Sequence, residues 1–362
     1  MKFFEQIVIV LSILSFVCSC SGNQIKFEEP ISDDNLIDKV QSIELIPLES
    51  GDDCVLGTSV DLFVSRNYDF ILVDRDNSII QRYSSDGRFL NEIGKKGKGP
   101  GEFISINNVQ LQDTCISVFT ITGKVIKYTL SGDIVATDAN QRYGQSAYYV
   151  DEGILAYYNY APDRAYRMAL LSGSGDEMAR YLKTYSQVLP LYHTAPVFSD
   201  IASGGVSIID SYSNCIYRYC DCRVSPYLSF DFGKYNISKK FYKFRNVREG
   251  VDFLQNCDFA LIDRYIESES IKLASFYIVK DRAMITMNGL FHNGKWSWVY
   301  IALDNPFYNS FRAVTGDIIV CLLDPVKFDG LNEKWRNYIT NREVLEQINE
   351  DNNYVIAKVR IH

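Results

Sequence analysis

Histidine is scarce in this chain. Only His193, His292 and His362 occur in 362 residues, so the body of the fold offers two side chains, His193 and His292, that ordinarily titrate near neutrality and suit a general base. Neither is paired with a nucleophile motif. The stretch "SGSGD" (Ser172 to Asp176) lacks the Gly-x-Ser-x-Gly pattern of a strand-to-helix nucleophile turn. A four-ligand zinc centre is equally unprovided, because Cys215, Cys220 and Cys222 have no histidine pair in register with them. Basic charge is not in excess either: 37 Lys and Arg against 45 Asp and Glu leave a net charge of −8. That balance excludes the broad basic face a nucleic-acid partner requires, and the local run "KKFYKFR" (Lys239 to Arg245) reads as a solvated strand edge or helix face. No metal or cofactor is expected.

Long apolar runs are also missing. The N-terminal one, Ile7 to Val17, has eleven residues interrupted by Ser12 and Ser15, too few to cross a bilayer as a helix. With Lys2 before it and "VCSC" after it, it matches the apolar region of an export signal. The small residue Ser19 ahead of Cys20 resembles the cleavage site of bacterial lipoproteins, in which that cysteine is acylated and becomes the first residue. Cys18, preceded by the bulkier Phe16 and Val17, is the alternative. The expected organisation is a lipoprotein signal peptide over 1–19, a tether over 20–40 and one folded domain over 41–362. Such a chain is held at a membrane surface of the cell envelope by its lipid. The seven remaining cysteines, Cys54, Cys115, Cys215, Cys220, Cys222, Cys257 and Cys321, are odd in number and fit no disulfide framework. Cys115 and Cys321 lie inside apolar strand-like runs, where a thiol serves as a small hydrophobe.

What the chain has in quantity is aromatic residues, 25 Tyr and 21 Phe, within a composition that is 47% hydrophobic. These favour strands, and long amphipathic helical patterns are nearly absent before residue 235. A phrase recurs. "IIQRYSSDGRF" (Ile79 to Phe89) and "VIKYTLSGDI" (Val125 to Ile134) align Ile80 with Val125, Arg82 with Lys127, Tyr83 with Tyr128 and Gly87 with Gly132. "IYRY" (Ile216 to Tyr219) is a third copy. Tyr83 and Tyr128 are 45 residues apart, and Tyr128 and Tyr219 are 91 apart, close to two periods. The intervening copy is "YRMALLSGSG" (Tyr166 to Gly175), with Ala169 in the tyrosine's place and its turn at Ser172 and Gly173.

A period near 45 with several short strands per unit specifies a β-propeller, whose blades are too thin to bury both faces alone and must stack in a ring. The near-continuous apolar run "DFILVD" (Asp69 to Asp74) fits a strand covered on both sides. "KYNISKKFYKFRNVREGVDFLQNCDFALIDRYIES" (Lys234 to Ser268) reads as a partly helical insertion. The remaining length divided by the period gives about six blades, with five or seven as alternatives. "SIELIPLE" (Ser42 to Glu49) and "YVIAKVRI" (Tyr354 to Ile361) are strands from the two ends, placed to complete one blade together. The expected fold is therefore all-β, a six-bladed propeller with a small helical insertion at about 234–268.

The stretch "NEIGKKGKGPGEF" (Asn91 to Phe103) poses the sharpest functional question, since its glycines and lysines suggest a phosphate cradle. A Walker loop fails because Gly99 is followed by Pro100 and Gly101. A dinucleotide fingerprint fails because the third glycine comes one place early, and no helix follows. The expected role is conformational: Gly97, Gly99 and Gly101 supply positive φ, Pro100 stiffens the link, and Phe103 packs between blades.

Taken from Asp69 to Phe103, the chain resembles an NHL-type repeat. With the signal segment, the "IPLE" strand, "GKGPGEF" and the terminal "EDNNYVIAKV", it is similar to the six-bladed propeller lipoproteins of Gram-negative gut anaerobes, a group of unknown function. At Asn352-Asn353-Tyr354 it departs from the Asn-Pro that precedes the last strand in that group. The expected function is that of a monomeric, membrane-tethered binding or scaffold module of the envelope for a protein, peptide or glycan, with the concave face of the ring, where polar loops from every blade converge, as its ligand site. The alternative is a metal-assisted hydrolase or lyase centred on the channel. For that, Asp74, Asp76 and Asn77 are candidates by type, although Asp and Asn in such turns brace the backbone. "AYYNYAPDRAYR" (Ala156 to Arg167) and "WSWVY" (Trp296 to Tyr300) are candidates for stacking on sugars, against packing between blades.

Overall fold

A computed structural model describes residues 24–29, 35–51, 54–138, 143–184, 195–244 and 246–362. Cys18, Cys20, His193 and Arg245 lie outside them. Six antiparallel sheets follow one another along the chain and form the blades of a propeller. Blade 1 comprises Val60–Val64, Phe70–Asp74, Ile79–Tyr83 and Phe89–Glu92. Blade 2 comprises Asn108–Leu111, Cys115–Phe119, Val125–Thr129 and Ile134–Asp138. Blade 3 comprises Ser146–Val150, Gly153–Tyr157, Tyr166–Leu171 and Glu177–Lys183. Blade 4 comprises Phe198–Asp200, Val206–Ile209, Cys215–Cys220 and Arg223–Asp231. Blade 5 comprises Phe259–Glu267, Lys272–Lys280, Ala283–His292 and Lys295–Val299.

Blade 6 closes the ring. Phe311–Thr315, Ile318–Leu323 and Val355–Ile361 come from the C-terminal end, and the outer strand is the N-terminal Val40–Pro47, paired antiparallel from Val40 opposite Ile361 to Pro47 opposite Val355. Opening the ring there would break a whole strand pair, which is the advantage of joining both termini in one blade.

The core confirms why the sheets stack. Each of six apolar clusters spans one blade-to-blade interface: Ile71, Val73 and Ile80 of blade 1 meet Val109, Val118 and Ile126 of blade 2, and Leu62 and Leu72 of blade 1 meet Val320 and Ile356 of blade 6. All five residues of Phe70–Asp74 are buried. A strand with neighbours on both faces has no reason to alternate.

Tyr83, Tyr128 and Tyr219 occupy third strands of blades 1, 2 and 4 and are all buried. The copy in blade 3 needs a two-residue correction. Gly87, Gly132 and Gly175 each donate back to the residue three earlier, Ser84, Thr129 and Ser172. The turn glycine is thus Gly175 rather than Gly173, and Leu171 rather than Ala169 stands where the tyrosine would be. The insertion also ends earlier than 268. After the helix α1 (Val247–Gln255), capped by the Asn246 side chain accepting from the Glu249 amide at 2.9 Å, the chain enters Phe259–Glu267, the first strand of blade 5. Asp263 and Arg264 hide that strand from a reading by hydrophobicity, yet both are buried.

Within 20–40, Ile25–Lys26 adds a parallel strand to the outer edge of blade 4. Phe27 packs edge-on against Trp298 at 4.9 Å, and a 3-10 turn over Asn35–Lys39 buries Leu36 and Ile37. The described part of that segment straps the outside of blades 4 to 6.

Candidate functional site

The glycine-rich link between blades 1 and 2 is built around a carboxylate. Gly99 N donates to Glu102 Oε2 at 2.8 Å, and Lys124 Nζ donates to the carbonyls of Gly99 and Glu102 at 3.3 and 2.9 Å. A Cβ on Gly97 would lie 2.0 Å from Glu102 Oε2. An acidic side chain therefore fills the hollow that a phosphate would need. Positive φ falls on Gly94 (72°) and Gly101 (75°), whereas Gly97 and Gly99 serve by leaving room for Glu102. Phe103 packs edge-on to Tyr128, whose hydroxyl donates to the Gly101 carbonyl at 2.5 Å.

Asp74 and Asn77 also have structural employment. The Asp74 carboxylate accepts from Gly57 N at 2.6 Å, Asn77 N at 3.0 Å and Asn77 Nδ2 at 2.7 Å. Asp76 is exposed beside them. His292 sits at the end of a hairpin strand, paired with Lys295 on the next strand. The aromatic runs are packing: Tyr157 and Tyr160 are buried in blade 3, and Trp298 lies among Phe27, Phe230 and Phe276. Among the described residues no group of three or more His, Cys, Asp or Glu converges as a metal site.

Because every blade begins with its inner strand, the inner strands all run the same way along the channel. The ring has a front face where they begin and a back face where they end and turn outward. On the back face, blades 1 to 4 surround a polar funnel of about 700 Å³. Its rim carries Asp113, Asp151, Glu152, Asp200 and Asp221 against two cations, Arg66 and Lys127. Tyrosines brace this wall: Tyr148 donates to Asp200 Oδ1 at 2.8 Å and Tyr219 to Glu152 Oε2 at 3.1 Å. Burial, and then the neighbouring Asp200, push the Tyr148 hydroxyl far above the ordinary phenol range, so it is a donor at every working pH. Arg66 and Asp113 form an exposed ion pair at 2.7 Å on the rim.

The funnel narrows into the central channel, about 230 Å³ between all six blades, sharing Val64, Gln110, Leu111, Tyr148 and Asp200 with it. Two guanidinium groups line this throat, those of Arg264 and Arg312. Arg264 Nη2 donates to Asp61 Oδ1 at 3.0 Å, and Asp61 Oδ2 also receives Arg75 Nη2 at 2.6 Å. Burial opposes ionisation of Asp61, but Arg75, Arg264 and Arg312 together hold its pKa below the ordinary carboxylate value. Glu267, also in the throat, is saturated: it accepts from the Tyr265 and Tyr227 hydroxyls and from Ala202 N, and pairs with Lys272.

None of the throat residues stood out in the sequence. The signal available was a charge inside a short, otherwise apolar first strand, as in "VDLFV", "FALIDRYIE" and "FRAVT". A second cavity, about 940 Å³ on the front face, lies under α1 and is lined by Tyr212, Phe241, Leu254, Phe259 and Val279.

Comparison with known proteins agrees with this architecture. A family model described as a domain of unknown function (DUF4934) matches residues 22–360. A crystal structure of a Bacteroides fragilis protein inferred to be exported superposes with a TM-score of 0.72 at 18% identity, covering 94% of this chain and all of that one. A member of the DUF4221 family from Bacteroides vulgatus gives a TM-score of 0.54 at 11% identity, covering 89% of this chain and 97% of that one. At these identities the likeness is one of fold. No curated protein matches the chain.

Proposed function

We propose that this chain, which belongs to the DUF4934 family, is a binding module of the cell envelope, anchored through Cys20 and presenting its back-face funnel to a protein, peptide or glycan partner. The observation that carries the reading is the funnel itself: a solvent-open hollow of about 700 Å³, walled by loops from four blades and continuous with the central channel. Concave sites with a few oriented polar groups are where ligands bind, and here tyrosine hydroxyls hold rim carboxylates in fixed positions. Among the described residues no helix is long and apolar enough to cross a membrane, which is compatible with attachment by lipid alone.

The test places a photo-crosslinking residue at Thr114, on the funnel rim, and another at exposed Asp76 on the front face, in living cells. Discrete adducts from position 114 but not from position 76 are expected; adducts only from position 76 would move the site to the other face. In the same cells Cys20→Ala is expected to shift the protein from the membrane to the soluble fraction. Retention in the membrane fraction would refute that anchor.

A further inference from the structure

Three guanidinium groups act on Asp61 in the throat of the channel, those of Arg75, Arg264 and Arg312. Among the described residues Arg75 and Arg264 pair with that carboxylate and Arg312 does not. Arg312 Nη1 donates only to backbone carbonyls, Asn309 O at 2.8 Å and Phe311 O at 3.1 Å, and its Nε is buried without a partner. Among the described residues it makes no ion pair, while Arg264 and Arg75 both reach Asp61. An uncompensated buried cation is costly, and proteins retain one where a ligand supplies the counter-charge. Asp263 is a poor substitute, because burial raises its pKa. Burial, and after it the adjacent Arg264, push Arg312 down to about 10 against the opposing pull of Asp61 and Asp263.

Resting on the reading of the funnel as a binding site, we infer that its ligand is a peptide inserted C-terminus first, its terminal carboxylate held by Arg312 and its cationic groups held at the acidic rim. Guanidinium and carboxylate match as planar groups, and Arg312 lines the throat with no ion pair that a ligand would have to displace. The opposite pole is equally clear: the funnel rim has five carboxylates and two cations. Spacing fits as well. Arg312 is the second residue of the strand Phe311–Thr315, three residues from its back-face end, or about 10 Å at strand rise. An extended peptide of roughly three to four residues spans that distance. The throat is then filled by the last residues, and the funnel by those before them.

The experiment is isothermal titration of the propeller with the peptide Lys-Ala-Ala-Ala as free acid, with its C-terminal amide, and with acetyl-Glu-Ala-Ala-Ala as free acid. The free lysyl acid is expected to bind at least tenfold more tightly than either of the others. In Arg312→Gln the acid and the amide are expected to bind alike. Since that variant could be defective in folding, the comparison of acid with amide on the unaltered protein stands as an independent measure. Equal binding of acid and amide would overturn the carboxylate pole while leaving the funnel a binding surface. Equal binding of the lysyl and acetyl-glutamyl peptides would overturn the cationic pole. If none of the three binds but position 114 still crosslinks in cells, the peptide class is wrong and the funnel reading survives.

Discussion

At Gly87 the chain combines φ of +89° with a backbone neighbour so close that a Cβ would lie 2.3 Å from the Pro47 carbonyl oxygen. That oxygen belongs to the outer strand of blade 6, and Gly87 O in turn accepts from Glu49 N at 2.8 Å. Gly132, at the matching turn of blade 2, has φ of +95° but a Cβ there would be 3.1 Å from its nearest atom. Gly173 has nothing within 4 Å. Substitution by Ala is accordingly expected to cost about 2–3 kcal/mol at Gly87, about 1–2 kcal/mol at Gly132 and less than about 0.5 kcal/mol at Gly173. Urea unfolding of the three variants checks the order, and a Gly173→Ala loss as large as that of Gly87→Ala would contradict the two-residue correction in blade 3. Gly87 and Gly132 were readable because a turn glycine four residues after a buried tyrosine is a strong local phrase. Leu171 was not, because a tyrosine replaced by another large apolar residue keeps the packing and erases the letter. The throat was illegible for a different reason: Asp61, Arg264 and Arg312 are far apart in sequence, and a lone charge in an apolar strand looks like a solvated position until the ring brings the three together.

Elements were legible to the extent that they carried a pattern of their own. The strands from Phe70 to Tyr83 declared themselves by apolar runs, and the two ends by strands with no partner nearby. Phe259–Glu267 escaped because its charges point to water in any local reading and to the channel only in the closed ring. That closure makes the strand Val40–Pro47 more consequential than its length suggests, since it ties the N-terminal end of the domain to the C-terminal strand Val355–Ile361. Ile43 in its middle is fully buried in the cluster joining blades 5 and 6, its backbone also bonded to Tyr338 and Thr340. Ile43→Ala is expected to lower stability by about 2–4 kcal/mol and, if the pairing of the two chain ends forms late in folding, chiefly to speed unfolding. Stopped-flow kinetics would show this as a raised unfolding limb; an equal drop in the folding rate would mean that the ring closes early instead.

For the molecule as a whole, the throat cluster joins blades that are distant along the chain: Asp61 of blade 1 receives Arg264 of blade 5 across the channel, with Arg312 of blade 6 within electrostatic reach. This makes one carboxylate a tie across three blades. Its folded pKa is depressed, so the folded protein binds fewer protons there than the unfolded chain. The associated stability is fully present above the unfolded value of about 3.9 and is lost as pH falls from there through the lower folded value. Asp263, whose pKa is raised by burial, acts with the opposite sign and favours the fold at low pH, so the net acid dependence is shallower than Asp61 alone would give. Asp61→Asn removes the depressed carboxylate while leaving Arg75 and Arg264 without their shared partner. The variant is expected to lose about 3–5 kcal/mol at pH 7 and less than that at pH 3, where Asp61 of the parent is closer to neutralisation. Chemical unfolding of both proteins between pH 3 and 7 should therefore show two curves converging toward acid. Parallel curves would mean that the Asp61 pKa is the same in the folded and the unfolded chain, so that this tie across three blades contributes nothing to the acid dependence, and curves diverging toward acid would mean that Asp61 is protonated in the native ring.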